Sequence, residues 1–160
     1  MRPSIVLTLL FAIRAAGAAE VTIDWQRPEG FTDIRPVHKS AARFQERLFR
    51  VFQETFEHLA QRLPADQRLQ ITFEDIDLAG DLRTGRFGQA RVVRDTSPAR
   101  LRFRWALVDA KGRRLAAGQE RLTGNRVSAG TLAHPGRNPF GIEKALLERW
   151  FSRTFPEAGR

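Results

Sequence analysis

Residues 100–107 read Arg-Leu-Arg-Phe-Arg-Trp-Ala-Leu, the most regular alternation in the 160-residue chain. Side chains of an extended strand point to opposite faces in turn, so Leu101, Phe103, Trp105 and Leu107 share one side. Arg100, Arg102 and Arg104 share the other. A helix would scatter both sets around its circumference. The segment therefore predicts a strand in a sheet buried on one face and wet on the other. Something apolar must cover that buried face, and this demand organises the rest of the chain.

Two helical stripes meet it. Phe44, Leu48, Val51, Phe52, Phe56, Leu59 and Leu63 recur mostly at steps of three and four, one face of a helix. Ser40 is placed to cap its start, and Pro64 to stop it. Arg47, Arg50, Glu54, Glu57 and Gln61 fall on the opposite, wet face. The second stripe is Ile142, Leu146, Leu147, Trp150 and Phe151. Asn138-Pro139 suits its beginning and Pro156 its end.

The remaining strands are shorter. Val21-Thr22-Ile23-Asp24-Trp25 alternates, then Pro28, Gly30 and Pro36 punctuate a loop. Leu69, Ile71 and Phe73 share a parity that Ile76 and Leu78 do not. A bulge near Glu74, or the strand's end there, turns Asp75 and Asp77 outward; an unbroken strand would bury two carboxylates. Asp81 to Gly88 reads as a turn-rich loop, followed by a short strand around Arg91 to Arg94. Asp109-Ala110-Lys111-Gly112-Arg113 fits a three-residue hairpin loop with Gly112 left-handed. That closure sets Leu107 opposite Leu115 and Arg102 opposite Glu120. Leu122 is then out of phase, so pairing is expected to fray or bulge after Gly118. Gly124 to Arg137 reads as a surface loop. The order of elements is α+β: a mostly antiparallel twisted sheet of four to five strands, with two amphipathic helices packed on one face.

Residues 1–19 have a different character. Met1-Arg2 is positive, Ile5 to Ile13 almost wholly apolar, and Ala15-Ala16-Gly17-Ala18-Ala19 uniformly small. This is the layout of a secretory signal peptide, cut after Ala18 or Ala19. The apolar run is well short of the roughly twenty residues that span a bilayer. The expected organisation is a leader at 1–19 and a single domain at 20–158, without a transmembrane segment and located in the periplasm or outside the cell. Cysteine is absent, which removes disulfides and thiolate chemistry. The formal charge is +9, of which Arg2 and Arg14 belong to the leader. All 27 basic residues are arginine except Lys39, Lys111 and Lys144. A basic surface attracts anionic headgroups, acidic proteins or nucleic acid. Export disfavours the last of these, and no recognition helix or stacking aromatic face is evident.

Several segments together resemble a known family: Asp75-Ile76-Asp77-Leu78-Ala79-Gly80, Arg91-Val92-Val93-Arg94-Asp95 with Pro98, and Glu143-Lys144-Ala145-Leu146-Leu147 with Trp150. The chain is similar over nearly all of its length beyond the leader to a bacterial exported family catalogued as domain of unknown function 3016. The Asp-Leu-Ala-Gly segment is the most specific match, and the Arg86-Phe87-Gly88 loop departs from the pattern. The resemblance implies a single-domain envelope or secreted protein. It brings no activity, substrate or catalytic residue.

Two constellations invite chemistry. Asp75, Asp77 and Asp81 offer oxygen ligands for a hard cation, or a carboxylate pair for acid and base work. Their spacing does not match a calcium loop, and the structural alternative bonds them to loop N–H groups and to arginines such as Arg94. Arg100, Arg102 and Arg104, joined by Arg91 and Arg94, form a basic face suited to phosphate or carboxylate, with Glu120 and Glu74 placed to neutralise part of it. His38, His58 and His134 have no metal-ligand spacing; nucleophile elbows and phosphate-binding glycine loops are missing, so no cofactor is expected. The leading expectation is a non-catalytic binding module that engages an envelope protein or an anionic glycolipid. The alternative is a metal-dependent or acid/base enzyme centred on Asp75, Asp77 and Asp81, and a third is an accessory subunit of an envelope assembly.

Overall fold

The computed structural model describes residues 17–34, 39–85, 88–92, 94, 96–125 and 140–156. Most of the expected leader lies outside them, as do Pro36, the Arg86-Phe87 tip, most of the Gly124 to Arg137 loop, Asn138-Pro139, His38 and His134. The elements are β1 (Glu20–Trp25), α1 (Lys39–Ala60), β2 (Arg68–Asp77), β3 (Asp81–Gly85), β4 (Gly88–Val92), β5 (Ala99–Val108), β6 (Arg114–Gly124) and α2 (Gly141–Thr154), with a 3-10 turn at Pro28–Gly30. The main sheet has four strands in the order β1-β2-β5-β6. It is α+β and mostly antiparallel, as its patterning predicts. The exception is β1, which runs parallel to β2, with Ile23 beside Ile71. A hairpin cannot make that connection, and α1 serves as the crossover.

Asp81 to Gly88 is not simply a loop. It forms β3 and the first residue of β4, a separate two-stranded ribbon in which Asp81 faces Val92. The ribbon takes up the residues that suggested a fifth strand, and its second strand ends at Val92 rather than Arg94. Glycine-rich composition hid it, because no apolar alternation marks its strands.

Both helices cover one face. α1 starts at Lys39, so Ser40 lies inside its first turn rather than ahead of it. Its end tightens before Pro64: the N–H groups of Gln61, Arg62 and Leu63 donate to the carbonyls of His58, Leu59 and Ala60 at 3.3, 3.1 and 3.0 Å. α2 begins at Gly141 and ends at Thr154, ahead of Pro156. Phe52 and Phe56 of α1, Phe73 of β2, Phe103 of β5, and Trp150 and Phe151 of α2 are all buried. Each such side chain contributes about 1.5–3 kcal/mol through burial. Trp25 stacks between Phe49 and Phe73, with centroids at 3.9 and 5.0 Å. That stack fastens the edge strand β1 to both layers.

Two bulges set the register. Between β2 and β5 the pairing steps from Phe73–Phe103 to Asp75–Arg102, leaving Glu74 as the extra residue. The step keeps Phe73 and Ile76 both in the core and turns Asp75 and Asp77 outward, the expected solution to their parity conflict. The β5–β6 turn closes as expected: Gly112 has φ +76°, and its N–H donates to the Asp109 carbonyl at 2.9 Å. The Asp109 carboxylate accepts the backbone N–H groups of Lys111 and Arg113 and the Arg113 guanidinium. The Arg113 N–H foremost, helped by its side chain and the Lys111 N–H, holds the Asp109 carboxyl below the usual carboxylate range against its partial burial.

Beyond the turn, the register departs from expectation. Val108 faces Arg114 and Leu107 faces Ala116, so Leu115 is the extra residue and is 49% exposed. Arg102 consequently sits opposite Arg121, not Glu120, and Leu122 is in phase opposite Leu101. Pairing does not fray after Gly118 but continues to Gly124. Trp105 accounts for the shift. The simple register would put Ala117 across from it, whereas the bulge supplies Gly118. A Cβ at 118 would lie 2.7 Å from Trp105 Nε1 and 3.0 Å from Cε2. Gly118→Ala must therefore push a rigid indole that already touches Trp150 and Phe155. We expect a loss on the order of 1 kcal/mol, read as a lower urea midpoint with unchanged slope. An unchanged midpoint would mean the indole has room to yield.

Candidate functional site: the aspartate segment and the arginine face

The bulge at Glu74 places β2 carboxylates beside β5 guanidiniums on the open side of the sheet. Arg100 Nη1 lies 2.9 Å from Asp77 Oδ2. Glu74 is shared: Arg104 Nε reaches its Oε1 at 2.8 Å, and Arg102 Nε its Oε2 at 3.4 Å. Gln119 of β6 also donates to Glu74 Oε2 at 3.2 Å, and Arg104 to Gln26 Oε1 at 3.4 Å. The guanidiniums remain about half exposed, so each pair adds at most about 1 kcal/mol. Their effect is to hold the arginines in a ladder. Arg121 extends the row on β6, exposed and without an ion pair among the described residues. Glu120 does not neutralise this face. It lies on the opposite side of the sheet, where it accepts the Trp105 indole N–H at 3.1 Å.

The three aspartates do not converge. Asp75 accepts the Thr32 N–H at 2.8 Å and the Thr32 hydroxyl at 3.0 Å. Asp77 belongs to Arg100, and Asp81 accepts the Ser97 hydroxyl at 3.0 Å. Arg94 is exposed and pairs with none of them; its backbone carbonyl accepts the Ser97 N–H at 3.1 Å. No group of three potential metal-ligating side chains gathers among the described residues. The expected bond to a loop N–H holds for Asp75, whereas Asp81 opens β3 and accepts a hydroxyl, and the arginine partner is Arg100 on Asp77 rather than Arg94.

The segment around these aspartates is a junction of the fold. The loop after β1 buries Phe31 and Ile34 and runs beside the end of β2. There the Asp33 N–H donates to the Ile76 carbonyl at 3.2 Å, and Asp33 Oδ2 accepts the Leu78 N–H at 3.3 Å. Gly80 has φ +85°, a value that favours glycine, and its N–H donates to the Ser97 carbonyl at 2.9 Å. From the helix layer, Glu143, only 3% exposed, accepts the Ala79 N–H at 2.8 Å. Thus the first loop, the segment before β5 and α2 all fasten to residues 75–80.

Sequence reasoning missed Glu143, Asp33 and Thr32 as members of this junction. For Glu143 a signal existed. It stands three and four residues before Leu146 and Leu147 and seven before Trp150, inside the apolar stripe where a wet carboxylate does not belong. Thr32 and Asp33 carried none, because a loop's partners depend on tertiary placement.

No helix of the described residues is long and apolar enough to cross a membrane. No curated protein matches the chain. Among solved structures, a hypothetical protein from Chlamydia trachomatis is similar at 10% identity and a TM-score of 0.40, over 91% of this chain and 99% of that one. That likeness is too distant to carry an argument. A family model described as "Protein of unknown function (DUF3016)" matches residues 19–153. The match takes in α1, the six strands, the junction at residues 75–80 and all but the last residue of α2, and the chain belongs to that family.

Proposed function

We propose that this protein is an exported, non-catalytic binding module of the bacterial envelope whose working surface is the open face of the sheet. The observation that carries the reading is the one-sided cover of the sheet. The helices pack against Phe73, Phe103 and Trp105, while Arg100, Arg102, Arg104 and Arg121 stand exposed on the other side. Guanidiniums held in a row by carboxylates are preorganised for a partner that carries both signs of charge. A protein surface fits that description better than a uniformly anionic one. The anionic glycolipid is the second reading, favoured by Arg121, which is exposed and has no carboxylate partner among the described residues. An enzyme built on Asp75, Asp77 and Asp81 has less support, since each carboxylate already serves a different structural partner.

A photo-crosslinking residue at Gln119 on the open face, and another at Arg50 on the wet side of α1, test the proposal in the envelope of a Gram-negative host. A discrete adduct is expected from position 119 alone, and Arg102→Glu with Arg121→Glu should abolish it at a cost in stability of only about 1–2 kcal/mol, which leaves the domain folded. Salt-sensitive binding to anionic but not neutral vesicles would shift the assignment to the glycolipid. If position 119 gives no adduct and the protein binds no vesicle, the open face is not the working surface.

A further inference from the structure

We propose that leader removal cuts the Ala18–Ala19 bond, and that the amino group this frees docks on the C-terminal end of α1. The inference rests on the export reading above and goes beyond it to the bond and its structural consequence. The sequence offers two cuts, after Ala18 or after Ala19, and both leave a small residue at the end of the leader. The fold distinguishes them. Gly17 and Ala18 are exposed, whereas Ala19 is 5% exposed and belongs to the hydrophobic core. Its N–H donates to the carbonyl of Ala60, the last residue of α1, at 3.4 Å. Glu20, next along, is exposed, and its N–H donates to the Gln67 carbonyl at 3.2 Å.

A cut after Ala19 would discard a buried methyl group together with its hydrogen bond. A cut after Ala18 keeps both. It also leaves Ala16-Gly17-Ala18 as the end of the leader, small at the last and third-last positions, the A-x-A form such sites take. The family match opens at residue 19, so the shared sequence begins with the residue that the core uses.

The chemistry is an amide hydrolysis by a leader peptidase, with water as co-reactant. The Ala18–Ala19 C–N bond breaks, the water's hydroxyl joins the Ala18 carbonyl carbon, and its proton goes to the Ala19 nitrogen. Ala18 leaves as a carboxylate. The Ala19 amine takes a further proton from solvent and becomes an ammonium with three donors. It then lies at the C-terminal end of α1, where the carbonyls carry partial negative charge and the Ala60 oxygen also accepts the Leu63 N–H at 3.0 Å. Processing thus converts one backbone hydrogen bond into a charged one at a helix end. Because Ala19 is buried once the chain folds, the cut has to precede folding, while the chain is still extended.

The test uses the full chain expressed in a Gram-negative host, with intact mass and N-terminal sequencing of the periplasmic protein. The expected first residues are Ala-Glu-Val-Thr. A processed chain starting at Glu20 or elsewhere overturns the bond assignment and leaves export standing. Full-length chain retained in the cytosol overturns both. Ala18→Gln should slow processing at least about tenfold in a pulse-chase, because the last leader position takes only small side chains; normal processing overturns the assignment. For the docking, the α-amine of the processed protein should react with an amine-selective ester several-fold more slowly when folded than in urea, since the residue is buried and its nitrogen is hydrogen-bonded to the Ala60 carbonyl. Equal rates overturn it.

Discussion

Trp150→Ala is expected to destabilise the domain by about 3–5 kcal/mol, the range for deleting a fully buried large aromatic side chain. Trp150 is 1% exposed and stands where the two helices meet the sheet. Its ring lies 5.0 Å from Phe103 on β5, 5.9 Å from Trp105 on the same strand and 6.1 Å from Phe56 on α1, all edge-on. Phe155 closes the fourth side at 5.9 Å. These neighbours come from β5, α1 and the end of α2, so the space cannot close without moving a helix off the sheet. In a domain of this size the loss corresponds to a melting temperature lower by about 10–20 °C. Trp150→Phe provides the contrast. The indole Nε1 is buried without a hydrogen-bond partner among the described residues. The phenyl variant loses area but also sheds that unsatisfied donor, and its cost should stay near 1 kcal/mol. Urea unfolding followed by circular dichroism measures both. Equal losses for the two variants would mean that the indole N–H is satisfied in solution.

The elements that could be read from sequence are those whose local pattern and tertiary role coincide. α1 and β5 are the clearest: a stripe of seven apolar residues and an alternation of four, each facing the one core. The bulge at Glu74 was also legible, since two parities in one strand leave few ways to keep Ile71 and Ile76 both buried. β6 was not. Residues Arg114–Gly124 contain Ala116, Ala117 and Gly118 where a strand would show large apolar residues. Their smallness makes sense only once the Trp105 indole is known to lie over that strand. Register here is decided by a side chain on the neighbouring strand, and no pattern within β6 announces it.

The candidate site followed the same division. Arg100, Arg102 and Arg104 fall on the expected face because alternation fixes which face a side chain takes, whereas Arg91 lies on the separate β3–β4 ribbon and Arg94 beyond its end, so neither joins them. Their partners were not, because partner identity follows register, and the Leu115 bulge moves Glu120 to the other side of the sheet. Glu74 takes over as the shared carboxylate. The Asp75, Asp77 and Asp81 cluster looked convergent in sequence because neighbours in the chain are counted as neighbours in space. The strand end separates them: one faces the β1 loop, one faces β5, and one opens the ribbon.

Glu143→Ala is expected to cost about 2–3 kcal/mol, as a buried hydrogen bond is lost and its donor is left without a partner. The Ala79 N–H donates to the Glu143 carboxylate at 2.8 Å, and both residues are buried. Water cannot replace the carboxylate without opening the contact between α2 and the segment that follows β2. Glu143→Gln separates acceptor from charge. Its amide oxygen can accept the same N–H, so it should recover most of the stability, leaving the melting temperature within about 3 °C of the parent protein. Glu143→Ala should instead lower it by roughly 6–12 °C. Hydrogen exchange at Ala79 gives the local reading: protection should fall in the alanine variant and persist in the glutamine one. If the glutamine variant proves as unstable as the alanine variant, the negative charge itself is required, and the junction of α2 with residues 75–80 is held by an ion pair as well as by this hydrogen bond.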